Sequence, residues 1–133
     1  MAVKANNKIY LSWEDVQNLV QKLCDKISQS QLQITSVTGI ERGGLIPAVM
    51  ISHRLNIPYV YSIHPTTLVV DDICDSGETL RNIIAPLTAV LHHKPHTSNM
   101  VPSFYAKEHR GDEWIIYPWE RGDSQAVQDY LKK

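Results

Sequence analysis

The stretch TTLVVDDICDSGETL, residues 66–80, concentrates groups that can do chemistry. Three aliphatics, Leu68, Val69 and Val70, read as a buried strand and run directly into Asp71 and Asp72. Asp75, Ser76, Gly77, Glu78 and Thr79 follow as a polar turn, and Leu80, Ile83, Ile84 and Leu87 then keep helical spacing. At a helix start several backbone N–H groups have no partner within the helix, so they can converge on one anion, helped by the helix dipole. Ser76 and Thr79 add hydroxyl donors, and Gly77 permits positive φ and close approach. Glu78 contributes its N–H, its side chain being expected to point away. Such a cup suits a terminal phosphate. The carboxylates of Asp71 and Asp72 accept hydrogen bonds from vicinal sugar hydroxyls, although alternation along a strand means the two need not point the same way. A carboxylate can also help to hold Mg²⁺, which keeps most of its shell as water and substrate oxygen. Phosphate cup and carboxylates together fit a ribose 5-phosphate.

A second loop, GIERGGL at 39–45, places Arg42 ahead of Gly43 and Gly44. Adjacent glycines let backbone N–H groups face a polyanion, and Arg42 offers charge-assisted bonds. The two loops suit a ligand with a phosphate at one end and a pyrophosphate at the other.

These loops need a scaffold that brings them to one edge. Ser12 reads as a helix N-cap with Asp15 in the capping-box position, and Trp13, Val16, Leu19, Val20, Leu23 and Ile27 give an amphipathic helix of about four turns. Residues 33–40 read as a strand ending in the ERGG loop, and LIPAVMISHRLN as a helix that tolerates Pro47 in its first turn. IPYVYSI is expected as the next strand, HPTT as a short link, and 98–106 as another strand. The helix after Thr79 loses definition at Pro86. WIIYPWE is a short apolar segment, and DSQAVQDYLKK a terminal helix capped by Asp123. The alternation implies an α/β fold with a mainly parallel, twisted sheet covered by helices on both faces, in one domain over 1–133. In such sheets ligands sit beyond the C-terminal strand ends, where both loops fall.

Composition narrows the function. The chain has 133 residues, 13 basic and 14 acidic, and a net charge of −1, which argues against a nucleic-acid surface as its main business. No apolar run reaches the length of a membrane span, and the N-terminus lacks a signal-peptide core. Cys24 and Cys74 show no paired-ligand spacing, so a reducing cytoplasm is expected, with Cys74 as a packing residue. His92, His93 and His96 resemble a metal cluster but sit in a Pro-containing stretch without carboxylate support, and a solvated loop is expected there. The RGD at 121–123 is expected to be the turn before the last helix.

LVVDDICDSGET resembles the phosphoribosyl pyrophosphate signature of the type I phosphoribosyltransferases, and GIERGGLIPA resembles their pyrophosphate loop. FYAKEHRG and DEWIIYPWE are similar to the purine-binding end of the xanthine-guanine and related enzymes, so the resemblance runs from SWEDV at 12–16 to PWE at 118–120. It implies a small C-terminal base-binding hood and a Mg²⁺-dependent transfer of phosphoribosyl to a 6-oxopurine in nucleotide salvage. It also implies a homodimer or higher homo-oligomer. By the same resemblance, Asp75 to Thr79 bind the 5-phosphate, with Asp75 also the general base near N7 of the purine. Asp71 and Asp72 contact the ribose, with Asp72 and Glu120 toward the metal. Arg42, Gly43 and Gly44 bind pyrophosphate, often through a strained or cis peptide. Lys107 donates to the 6-oxo group, Trp114 stacks on the base, and the Ile115 backbone faces its 2-position, while Trp119 packs. The alternative is a non-catalytic sensor of phosphoribosyl pyrophosphate or a nucleotide on the same fold.

One departure stands out. Relatives carry a long flexible loop between the two central strands that closes over the substrate, and here IHPTT is too short to reach across. The stretch HHKPHTSN, 92–99, is expected at the opposite, N-terminal edge of the sheet. An open site follows, with modest transfer and a measurable hydrolytic side reaction.

Overall fold

The computed structural model describes residues 2–120 of the chain. The expected terminal helix, its Asp123 cap and the RGD turn lie outside the described residues. In order, the elements are β1 (Val3–Ala5), β2 (Lys8–Tyr10), α1 (Trp13–Ser30), β3 (Ser36–Gly39), α2 (Leu45–Leu55), β4 (Thr67–Cys74), α3 (Glu78–Ile83), β5 (Leu87–His93), β6 (Phe104–Glu108) and β7 (Trp114–Ile116).

α1 forms as its sequence dictates. Ser12 Oγ accepts from the Asp15 N–H at 3.0 Å, and Asp15 Oδ2 accepts from the Ser12 N–H at 2.8 Å, closing a reciprocal capping box. Its buried stripe is Val16, Leu19, Val20, Leu23, Cys24 and Ile27. Trp13 remains half exposed and meets the Trp119 ring at 5.9 Å between centroids.

The main sheet is fully parallel with order β3-β4-β5-β6, and β3 is aligned so that Val37 faces Leu68 and Gly39 faces Val70. Its centre is buried on both sides, which is why β4 opens with an unbroken apolar run. Leu68 and Val70 pack with α1 and α2, whereas Val69 joins Leu80 and Val90 in a second cluster on the other side. A smaller sheet, β1-β2-β7, forms the hood. β1 and β2 are antiparallel, whereas β2 and β7 are parallel, with Ile9 beside Ile115. No described helix is long and apolar enough to cross a membrane.

Four expectations need correction. The strand expected over IPYVYSI reduces to a single bridge between Val37 and Tyr59, because Pro58 has no N–H to extend a ladder. The helix after Gly77 stops at Ile83, with Ile84 at φ 56°, and Leu87 belongs to a strand instead. His92 and His93 are not in a solvated loop: both are buried at the end of β5. Last, β6 begins only at Phe104, so the intervening segment starts at the C-terminal edge of the sheet, against the Asp75 loop. The N-terminal hairpin β1–β2 is an addition that no sequence pattern announced.

Candidate active site

β4 runs through the acidic pair to Cys74 rather than ending before it. Asp71 Oδ1 accepts from the Asp72 N–H, and Asp72 Oδ1 from the Ile73 N–H, each at 2.8 Å. Burial raises both carboxyls above the ordinary range, and the Asp72 charge pushes Asp71 further up. A sugar hydroxyl or a cation arriving here meets oxygens that are poorly solvated and mutually repelled.

The ERGG loop packs onto this pair. Ile40 donates its N–H to the Val70 carbonyl at 2.8 Å. A Cβ on Gly43 would lie 2.2 Å from Asp72 Oδ2, and one on Gly44 would lie 2.2 Å from the Val70 carbonyl oxygen. Backbone leaves room only for glycine at 44, and a side chain at 43 would have to displace the Asp72 carboxylate, so the two loops are in contact and the backbone of the first lies bare beside Asp72. The Glu41–Arg42 peptide is cis.

Glu120 reaches the same place from the hood. Its Oε1 accepts from the Tyr117 N–H at 2.9 Å; burial raises its pKa, and the Asp72 charge adds to the rise. Tyr117 itself is buried and donates its hydroxyl to the Asp72 carbonyl at 3.1 Å, while His92 Nδ1 approaches that hydroxyl at 2.7 Å. Two half-buried carboxylates that raise the cost of each other's charge, beside a loop shaped for a polyphosphate, fit Mg²⁺, which takes one or two carboxylates plus substrate oxygens.

The phosphate loop rises from the end of β4. Gly77 adopts φ 87° at the start of α3, a conformation in which a Cβ is strained. A Cβ there would also lie 2.6 Å from Asn99 Oδ1 and 2.8 Å from Met100 Cγ. Ser76 and Glu78 are exposed, and Thr79 is partly so. Asp75 is held from outside the loop: its Oδ1 accepts from the Thr97 hydroxyl at 2.6 Å, and Lys94 Nζ stands 3.6 Å from its Oδ2. Lys94 is buried along its side chain, and its ammonium lies 5.8 Å from the centre of the Trp114 ring.

Trp114 and Ile115 sit on β7, the edge strand of the hood. Trp114 donates its N–H to Asn7, and Ile116 accepts from Leu11. Alternation then turns the Ile115 N–H and C=O away from β2, toward the open edge, while its side chain joins the core. The Trp114 indole N–H is buried without a partner. Lys107 is placed elsewhere. It is exposed on β6 and lines a cleft of about 240 Å³ on the α1 side with Leu11, Asp15, Asn18, Lys22 and His92. The structure thus brings together Asp71, Asp72, Gly43, Gly44 and Glu120 as one group, and Asp75, Lys94 and Trp114 as another. It separates Lys107 from them. Lys94 and Thr97 were missed from the sequence; the signal that could have found them is the KPHT stretch directly after an apolar run.

The chain matches no protein-family model. It is 31% identical to the xanthine-guanine phosphoribosyltransferase of Cereibacter sphaeroides over 125 aligned residues, covering 71% of this chain and 74% of that one. It is 26% identical to the enzyme of the same description from Idiomarina loihiensis, covering 90% and 91%. The crystal structure of a purine phosphoribosyltransferase from Pyrococcus horikoshii superimposes with a TM-score of 0.76 at 28% identity, over 91% of this chain and 99% of that one. The fold is that of the type I phosphoribosyltransferases, and the chain belongs to this family. Within it, the resemblance is to the xanthine-guanine enzymes and extends over nearly the full length.

Proposed function

We propose that the protein transfers 5-phosphoribosyl from phosphoribosyl pyrophosphate to a 6-oxopurine, giving the nucleoside monophosphate and pyrophosphate. The observation that carries this reading is the Asp75–Lys94–Trp114 grouping. A 6-oxopurine carries a ring nitrogen and a carbonyl oxygen side by side on one edge. Asp75 is an acceptor and base for the first, and Lys94, with donors only, faces the second. The Trp114 ring is available to stack on the base, and the Ile115 backbone faces its 2-position.

The remaining groups fit the other substrate. Gly77, Ser76, Thr79 and the neighbouring amides of Asp75 and Glu78 would hold the 5-phosphate. Asp71 and Asp72 would accept from the ribose hydroxyls, and Arg42 with the Gly43 and Gly44 amides would hold pyrophosphate. Asp72 and Glu120 would hold Mg²⁺, which when bound neutralises charge on the leaving pyrophosphate. As the C1′–O bond to pyrophosphate breaks and the C1′–N bond forms, the purine's proton passes to Asp75. General-base help of this kind is worth about 10²–10⁴-fold, and fixed orientation of the two substrates supplies much of the rest.

The test is turnover with Mg²⁺, phosphoribosyl pyrophosphate and a panel of purines. Guanine, xanthine or hypoxanthine should react, and adenine should be slower by roughly 5- to 150-fold, because its amino group meets the Lys94 donor. In Asp75→Asn the rate should fall about 10²-fold or more, with affinity for GMP held within about tenfold. Tight binding of phosphoribosyl pyrophosphate or GMP by a wild type that turns over no purine would establish a sensor instead.

A further inference from the structure

Asp75 is the one reactive carboxylate of the site that burial does not hold in place: its side chain is 43% exposed. The χ2 torsion of an aspartate is broad and twofold, so an exposed carboxylate rotates and exchanges its oxygens. Here the segment after β5 prevents that. Lys94 donates its N–H to the Cys74 carbonyl and Asn99 donates its N–H to the Ser76 carbonyl, both at 2.9 Å, so the residues on either side of Asp75 are fastened to one segment. Between these anchors the chain turns, with the Ser98 N–H reaching the Lys94 carbonyl at 3.0 Å. The turn brings the Thr97 hydroxyl 2.6 Å from Asp75 Oδ1, 3.1 Å from the Asp75 carbonyl oxygen and 3.5 Å from the Lys94 carbonyl oxygen. A hydroxyl has one proton to give. The shortest contact is also the one to a charged acceptor, and it takes the proton.

We propose that Thr97 is a positioning residue: its hydroxyl occupies Asp75 Oδ1, which leaves Oδ2, on the Lys94 side, as the oxygen presented to the purine. This rests on the transferase reading above and deepens it. With Oδ1 capped, the carboxylate has one free oxygen, next to the ammonium that faces the 6-oxo group, so base and carbonyl donor are set in register before the purine arrives. Thr97 is exposed, so its replacement leaves the core untouched.

Thr97→Val keeps the shape and removes the proton. In the whole chain with phosphoribosyl pyrophosphate, Mg²⁺ and guanine, kcat should fall about tenfold, the size expected for one charge-assisted hydrogen bond. The KM values should stay within about twofold, and Thr97→Ser should restore kcat to within about twofold. The other groups facing Asp75, namely Lys94 and the Cys74 thiol that Asp71 and Asp75 both push upward, are the same in both variants. Wild-type kcat in Thr97→Val, or a Thr97→Ser as impaired as Thr97→Val, would overturn the proposal. A wild type with no turnover would defeat the transferase reading alone. The positioning would then be read from crystal structures of the two proteins, in which the Asp75 carboxylate should leave its wild-type orientation in Thr97→Val while the backbone of the segment stays in place. An Asp75 carboxylate in the same orientation in both would overturn it.

Discussion

Replacing His92 with asparagine should flatten the acid side of the protein's stability profile. His92 is buried, and burial, together with the positive charges of His109, Lys107 and Lys94, lowers its pKa from 6.5 to about 3. Tyr117 gives its one proton to the Asp72 carbonyl, so the 2.7 Å contact between Tyr117 Oη and His92 Nδ1 is donated by the ring, and the imidazole is neutral with its proton on Nδ1. The sign follows from linkage. The unfolded chain takes up a proton at this residue near pH 6.5 while the folded chain refuses it until about pH 3, so the His92 contribution is complete above 6.5 and is lost as pH falls through that window. At about pH 5.0, roughly 1.5 units below the unfolded value, about 2 kcal/mol should be gone at 1.36 kcal/mol per unit. Asparagine can offer an amide N–H to Tyr117 and does not titrate. Urea unfolding of both proteins at about pH 7.5 and about pH 5.0, with the variant's change subtracted from the wild type's, cancels every other titration. The wild type should lose about 2 kcal/mol more than His92→Asn. Parallel pH dependences, within about 0.5 kcal/mol, would refute the reasoning.

Lys94→Gln should weaken GMP binding by about tenfold or more in calorimetry while Lys107→Gln leaves it within about twofold; equal losses would return Lys107 to the base site. Gly43→Ala should drive a methyl into Asp72 and cut affinity for phosphoribosyl pyrophosphate by about tenfold or more, and unchanged affinity would mean that the two loops do not depend on their contact. Ser12→Ala should cost about 1 kcal/mol and lower Tm by roughly 3–6 °C in a thermal melt, since it removes one half of the capping box; an unmoved Tm would show that α1 does not rely on it.

What could be read from the sequence depended on how local the cause was. α1 was legible down to its cap, because Ser12, Asp15 and the apolar stripe all lie within the element. The strand into Asp71 and Asp72 and the glycines beside them were legible because composition and spacing agreed over a few residues. β5 was not. Leu87 satisfies a helical period from Leu80 as well as it starts a strand, and a strand buried on both faces shows no alternation to expose the error. His92 looked solvated because its partner, Tyr117, is 25 residues away. The choice of Lys107 over Lys94 came from the same place. Lys94 directly follows β5 and Lys107 lies on the neighbouring β6, but β5 adjoins β4 and β6 does not. With β5 unseen, the residue at its end could not be set beside Asp75, and the segment carrying Thr97 was assigned to the wrong edge. That segment lies against the loop that carries Asp75.

The pairing of β2 with β7 also governs how the protein is made. Ile9 and Ile115 are neighbours in one sheet, although 106 positions separate them in the chain. During synthesis at about 5–20 residues per second, the first hairpin waits several seconds on the ribosome before the strand it must pair with is even polymerised. Until then one edge of β2 has bare backbone, and a contact of such long range closes late. The half of the site proposed to hold the sugar phosphate depends on β3, β4 and the loops beside them, and can be assembled earlier; the hood strand that carries Trp114 is finished last. A newborn chain arrested just short of Trp114 would therefore carry both glycine loops and the Asp75–Lys94 pair without the ring proposed to stack on the base.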